Sequence, residues 1–397
     1  MLHWRTLQEH ENQKQLNLNI YMTKKIYFEN LDGLRFLCFL SVFFFHSFHT
    51  EIAEIKSSAI YQFIKVDLFK NGSLGVNFFF VLSGFLITYL LIEEKKLNGQ
   101  IDLKKFWIRR ILRIWPLFYL CVFIGFYIFP LLKSAFGQTP NETATLAYYL
   151  TFTNNFDFMA KGLPDASILG VLWSVAIEEQ FYFVWPIILY FLPIRNYWIA
   201  FSTVIVGSLI FRSVHNDYMS HEHHTISCIG DMAIGAFGAW LMLTSNKFKQ
   251  KTQELPSLAI GLIYTSYLAV FLFRDEILLH NNYLISVIER PIIASVMLLI
   301  ILEQCFSNNS FFKLSKFEKL TQLGTISYGL YCLHFLAILI VTTLTKKFAL
   351  NTQLWQVMIL DTSLALLVAI GISKISYNFY EKPFLKLKER FSYIKTK

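Results

Sequence analysis

The stretch LDGLRFLCFLSVFFFHSF (residues 31–48) decides the fold class, because it is apolar over the length of a membrane crossing and still carries Arg35 and His46. Eleven helical steps of ~100° overshoot three turns by only ~20° and rise ~16 Å, so the two side chains face one way, one above the other. An arginine among lipid tails costs on the order of 3 kcal/mol on insertion scales, so this polar file is expected to face a cavity or partner groups instead of lipid. Such a file suggests a route for chemistry or transport.

The whole chain agrees with that stretch. Its 397 residues are 55% hydrophobic and include 40 Phe, while only 16% are charged. Together with a mean hydropathy of +0.45, this leaves too few charges to solvate a globule of that size, so the chain reads as a multi-pass membrane protein. The five cysteines lack CxxC or paired spacing and read as small core residues. The polar segment before residue 31 runs directly into the first apolar run with no small-residue cleavage site, so that run is expected to stay as an anchor. Met22 opens a second plausible start, MTKKIYFENLDGLR.

Runs long enough to span, at ~20 residues each, fall at about 31–49, 72–92, 114–132, 170–192, 198–215, 226–243, 257–273, 284–303, 323–344 and 356–375. The expected fold is all-α and polytopic, with about ten transmembrane helices and both termini cytoplasmic. Alternating the spans from an inside N-terminus puts segments 93–113, 244–256, 304–322 and 376–397 inside, and these hold most of the Lys and Arg. The net charge of +9 is therefore read as topology, with no nucleic-acid partner. The run ATLAYYLTFTNNF within 144–169 is too short to cross and is expected as a re-entrant or outer-surface piece. Three regions follow: a polar segment 1–27, a membrane domain 28–386 and a basic cytoplasmic tail 387–397.

Six patterns occur in order: LDGLRFLCFLSVFFFH, VNFFFVLSGFLI (76–87), FWIRRILRIWPLFY (106–119), LWSVAIEEQFYFVWP (172–186), LGTISYGLYCLH (323–334) and YNFYEKPF (377–384). In this series the chain resembles acyltransferase family 3, the integral-membrane O-acyltransferases that decorate bacterial surface polysaccharides, lipids and related hydroxyl acceptors. The resemblance covers about 28–386. The family's basic residue, ten intervening residues and histidine match Arg35 and His46; Cys38, Val175 and Cys332 depart from the pattern as apolar swaps. Many relatives carry a C-terminal esterase-like domain. None is evident here, so transfer by the membrane domain itself is expected.

The resemblance implies an O-acetyltransferase of the bacterial inner membrane, moving an acetyl group from cytoplasmic acyl-CoA to a hydroxyl of a cell-surface carbohydrate or glycolipid, without a metal. The residues fit that chemistry. A hydroxyl attacks a thioester poorly until its proton is removed, and His is the side chain that titrates near working pH, which makes His46 the candidate base. Arg35, Arg109, Arg110 and Arg113 are the candidate CoA-binding residues, since spacings of three and four bring the last three together for phosphate; plain topology anchoring is the alternative. Glu178 and Glu179 lie inside the fourth span, where a carboxylate must pair or protonate. Glu178, favoured by its family placement, is expected to support His46 or the acceptor. Glu179, Ser174, Tyr182 and His334 are candidate substrate contacts, with Gln180 a further hydrogen-bonding group.

Weaker readings complete the list. Ser83 and Gly84 are expected to serve close helix packing, and Asp231, Glu289, Arg290 and Asp361 to form intramembrane pairs. His215, His221, His223 and His224 lack a zinc-ligand spacing. The competing class is a secondary transporter or lipid flippase with a buried charged path. It would favour paired half-repeats with broken helices, which the sequence lacks.

Overall fold

Every expected span becomes a helix because no water competes for backbone groups in a bilayer, so each N–H and C=O must be satisfied within its own segment. A computed structural model describes residues 26–277 and 283–394, so Met22 and its neighbourhood lie outside the described residues. In chain order the principal helices are α1 (Glu29–Phe45), α2 (Leu74–Asn98), α3 (Leu103–Phe123), α4 (Leu172–Phe191), α5 (Tyr197–Val214), α6 (Thr225–Thr244), α7 (Ser257–Ile277), α8 (Tyr283–Phe306), α9 (Ser327–Lys347) and α10 (Thr362–Ile375). A terminal helix α11 (Lys382–Glu389) follows. Among the described residues there is no strand, and nine helical stretches are long and apolar enough to cross a membrane. The tenth expected span is α1, which at 17 residues extends ~25 Å.

Helix α1 stops early for a local reason. Three residues past its end, Phe48 takes a left-handed backbone with φ +68°, a conformation that costs a non-glycine residue roughly 1–2 kcal/mol. Packing holds it there: Phe48 is buried, its ring stacks on Phe44 and Phe69, and its carbonyl accepts from the Tyr61 hydroxyl at 3.1 Å. The chain between α1 and α2 then forms two short helices and a π-helical turn, Gln62–Leu68, that cap the His46 end of α1.

At the bundle centre α2 and α6 come into backbone contact. A Cβ on Gly84 would lie 1.9 Å from the Met232 carbonyl oxygen, and one on Gly235 would lie 2.0 Å from that of Val81. Small residues give this approach in membranes, where dispersion and not water release holds helices together. Around this axis the buried side chains of α2, α3, α4, α6 and α9 form one continuous core with Phe80, Phe118, Trp185 and Phe201. The periphery is apolar and exposed, as at Phe191, Leu258, Leu367 and Phe379, the inverse of a water-soluble surface.

Stretch 144–169 forms short helices Leu146–Leu150, Asn154–Lys161 and Ser167–Gly170, none long enough to cross. After α11 the chain turns back on α3: Arg109 Nη1 donates to the Phe391 carbonyl at 2.8 Å, and the Tyr393 hydroxyl donates to Asp102 at 3.0 Å while accepting from Lys105 at 2.6 Å. The buried charges Asp231, Glu289 and Arg290 meet in one network with Arg212, Glu222 and Arg274. Asp361 bonds to the Asn351 amide.

Candidate active site

His46 is the first residue past the last helical residue of α1 and keeps near-helical angles, φ −88° and ψ −2°, so the register set by the helix carries through it. Its Nδ1 lies 3.0 Å from Nε2 of His334 on α9. His334 in turn places its Nδ1 2.7 Å from the Tyr331 carbonyl. A carbonyl can only accept, so His334 carries its proton on Nδ1. Among the described residues the buried His334 meets no carboxylate, and with Nδ1 donating, the neutral imidazole offers its lone pair at Nε2. His46 Nδ1 must then be the donor of the 3.0 Å bond, and the pattern assigns His46 a free lone pair at Nε2. Phe335, with its ring centroid 4.5 Å from that of His46, walls the pair.

The other candidates sort into groups. Ser174 bonds the Tyr331 hydroxyl at 2.7 Å, so it fixes the tyrosine that presents its carbonyl to His334. Glu178 accepts from Ser83 at 2.7 Å. Ser83 therefore spends its hydroxyl on a half-buried carboxylate, whereas its neighbour Gly84 serves packing. Glu179 Oε2 accepts from the Trp115 indole at 2.8 Å, and its Oε1 is buried without a partner. Arg290, expected in an intramembrane pair, pairs with Asp231 and Glu222. Gln180 is taken up by Phe152, Asn155 and Thr225. Tyr182 is buried, with its ring under the Arg110 guanidinium at 5.6 Å.

The arginines also divide. Arg35 Nη1 binds Asp32 one turn back, and Asp32 also accepts from Tyr27. Arg109 pairs with Glu94 at 2.8 Å as well as holding Phe391. Arg110 lies over the Phe106 and Tyr182 rings and has a buried Nε with no partner. Arg113 has no ion pair among the described residues, and its charge is felt alongside those of Arg35, Asp32 and Glu178. Arg110 and Arg113 thus lie beside the Arg35 end of the bundle with no ion pair among the described residues.

Of the histidine cluster, His221 bonds the Arg212 carbonyl at 3.0 Å, His215 bonds the Phe211 carbonyl at 3.1 Å, and His224 caps α6. No group of three or more His, Cys, Asp or Glu among the described residues could hold a metal.

Sequence reasoning did not reach two groups. Tyr331 acts through its backbone carbonyl, which any residue would supply. Lys65 belongs to the polar stretch between α1 and α2 and had no periodicity to mark it; its ammonium bonds the Phe45 carbonyl, and the Ser47 carbonyl at 3.0 Å.

Comparison with known families follows this geometry. The profile described as an acyltransferase domain, that of acyltransferase family 3, matches residues 28–376, and so takes in His46, the arginines, Glu178 and His334. The chain belongs to acyltransferase family 3. Among curated members of this family it is 27% identical over 385 residues to the Bacillus subtilis (strain 168) protein provisionally named peptidoglycan O-acetyltransferase YrhL, covering 90% of this chain and 55% of that one. A provisionally named O-acetyltransferase of Staphylococcus aureus (strain MRSA252) is 29% identical over 399 residues, covering 94% and 60%. The peptidoglycan O-acetyltransferase OatA of Listeria monocytogenes serovar 1/2a is 27% identical over 380 residues, covering 91% and 56%. The chain spans little more than half the length of these curated relatives. No solved structure matches it.

Proposed function

We propose that this acyltransferase is a bacterial inner-membrane O-acetyltransferase that moves an acetyl group from cytoplasmic acetyl-CoA to a hydroxyl of a cell-surface carbohydrate of the peptidoglycan type. The observation that carries the reading is the His46–His334 pair, whose bonding leaves His46 Nε2 as a free base in a site walled by protein. In the reaction His46 Nε2 takes the proton of the acceptor hydroxyl as its oxygen attacks the thioester carbonyl. The tetrahedral intermediate then collapses with cleavage of the C–S bond, and the departing thiolate takes the proton back from His46 as free CoA thiol. His334 stabilises the imidazolium formed in between by accepting from Nδ1, while its own Nδ1–H stays on the Tyr331 carbonyl.

The cations at the far end suit the donor. Arg110 and Arg113, which carry no carboxylate of their own, take the CoA phosphates by charge-assisted contacts. Arg35, tethered by Asp32, lies beside Arg113 where the pantetheine arm would start toward His46. The vertical separation of Arg35 and His46, ~16 Å along α1, matches the reach of an extended pantetheine. Glu178, held by Ser83, is then the acceptor-side group, whereas Tyr182 lies under Arg110 on the donor side. The paired histidines and the two arginines with no ion pair among the described residues favour this over a transporter, for which a free base at the end of a short helix has no use.

The test is free-thiol release from acetyl-CoA by purified protein in lipid, with cell-wall glycan supplied as acceptor. Turnover that disappears in His46→Ala supports the reading. Absence of acetyl-CoA binding and turnover in the wild type overturns it.

A further inference from the structure

The chain end of α1 that seats His46 is held by an element outside the bundle. Helix ends leave carbonyls without partners, and in an apolar layer each costs a few kcal/mol unless it is met. Here Ser47 Oγ donates to the Phe43 carbonyl at 2.7 Å, while the carbonyls of Phe45 and Ser47, the two residues flanking His46, both accept from the ammonium of Lys65. Lys65 is also over the Phe45 ring at 5.6 Å. It sits in the π-helical turn Gln62–Leu68, one of four π-helical stretches among the described residues. The same cap supplies Tyr61 and Phe69, which pin the left-handed Phe48 two residues past His46. A strained residue persists only where its surroundings over-determine it, and such residues cluster at sites where position is critical.

We infer that Lys65 is the positioning residue of His46: by bridging the carbonyls on either side of it, Lys65 fixes the backbone from which the His46 ring reaches His334 and the acceptor hydroxyl. His46 is gripped from both directions, by Lys65 through the backbone on either side of it and by His334 through its ring. Burial pushes the Lys65 ammonium down to about 8, so it remains charged at neutral pH, when the bridge is strongest. The inference rests on His46 being the base, and goes beyond it by assigning a residue with no contact to donor or acceptor.

The experiment pairs turnover with a readout that does not depend on catalysis. Wild type, Lys65→Met, Lys65→Gln, Lys65→Arg and His46→Ala are purified in lipid and checked for thermal stability. Thiol release is measured over donor concentration, and carbethoxylation of His46 by diethylpyrocarbonate is followed by peptide mass spectrometry. In Lys65→Met the expected fall in kcat is about 100-fold, the cost of a misplacement near 1 Å. KM for acetyl-CoA stays unchanged, Lys65→Arg recovers most of the rate, and the His46 labelling rate changes in Lys65→Met alone among the folded Met and Arg variants. If Lys65→Met does not fold, Lys65→Gln, which retains two N–H donors without charge, takes its place. Unchanged kcat and unchanged labelling in a folded variant overturn the inference. If His46→Ala keeps full activity, the base reading fails, and the labelling rate alone then decides whether Lys65 holds His46.

Discussion

His46 Nδ1 and His334 Nε2 lie 3.0 Å apart, and the carbonyl of Tyr331 fixes which of the two histidines donates. The bonding is therefore unequal: both ring nitrogens of His334 are engaged, whereas His46 is bonded through Nδ1 and keeps its Nε2 lone pair. His46→Ala should cost about 10²–10⁴-fold in kcat, the usual worth of a general base. His334→Phe should cost less, about 10–100-fold, because it removes orientation and imidazolium support without removing the base. His334→Gln should retain more activity than His334→Phe, since an amide oxygen can accept the Nδ1–H. Groups acting as a unit are not additive, so the double variant His46→Ala/His334→Phe should be no slower than His46→Ala. Steady-state thiol release for the four variants decides this.

Arginines one turn apart should separate by parameter. Arg109 is spent on Glu94 and the Phe391 carbonyl, whereas Arg113 has no ion pair among the described residues. Arg113→Ala should raise KM for acetyl-CoA by about tenfold or more, the loss of one charge-assisted contact, with little change in thermal stability. Arg109→Ala leaves Glu94 buried without its partner and frees the terminal segment. It should destabilise the protein by about 3 kcal/mol and alter KM less. Equal KM effects from both would show that the pairing with Glu94 yields to donor. Donor titrations alongside melting curves in detergent separate the two.

Gly84 supplies a prediction about the bundle alone. A methyl group there would come 1.9 Å from the Met232 carbonyl oxygen, inside van der Waals contact with rigid backbone. Gly84→Ala must therefore push α2 and α6 apart, and the loss should exceed the 1–3 kcal/mol typical of overpacking. Its neighbour Ser83→Ala removes only the hydrogen bond to Glu178 and should leave folding nearly intact while lowering turnover. Expression yield and melting temperature for this adjacent pair would distinguish a packing residue from a polar one.

These contrasts also mark what was legible from sequence. Helical spans announce themselves through apolar length, so all ten expected runs fall on helices, and α1 ends early only because Phe48 turns left-handed under tertiary packing that no local pattern encodes. Arg35 and His46 were visible because polar side chains in an apolar run have few innocent explanations. His334 was visible as a candidate but not as the partner of His46, since a sequence separation of 288 carries no record of contact. The bond from Ser83 to Glu178 was not visible, because the two lie 95 residues apart in sequence. The arginine triplet could be seen as a cluster, yet its division of labour depends on Glu94 and the returning chain at Phe391, which spacing along α3 cannot show.

The buried network of Arg212, Arg274 and Arg290 makes the last contrast. Three basic groups, Arg212, Arg274 and Arg290, meet three acidic ones, Glu222, Asp231 and Glu289; Arg290 reaches Asp231 at 2.9 Å and Glu222 at 3.3 Å, and Arg274 reaches Glu289 at 2.7 Å. Charges that balance inside a bundle leave nothing over for a ligand, unlike Arg110 and Arg113. Arg290→Leu should therefore act on stability, costing about 3–5 kcal/mol because Asp231 and Glu222 keep buried charge without their partner. The double variant Arg290→Leu/Asp231→Leu should recover part of that loss, since removing both partners can approach neutrality. Specific activity per folded molecule should stay within about twofold of wild type in each, the scatter that a 0.4 kcal/mol difference produces. A transporter using this network as its charged path would lose function in both variants at full stability, so melting curves and turnover measured on the same preparations separate the two outcomes.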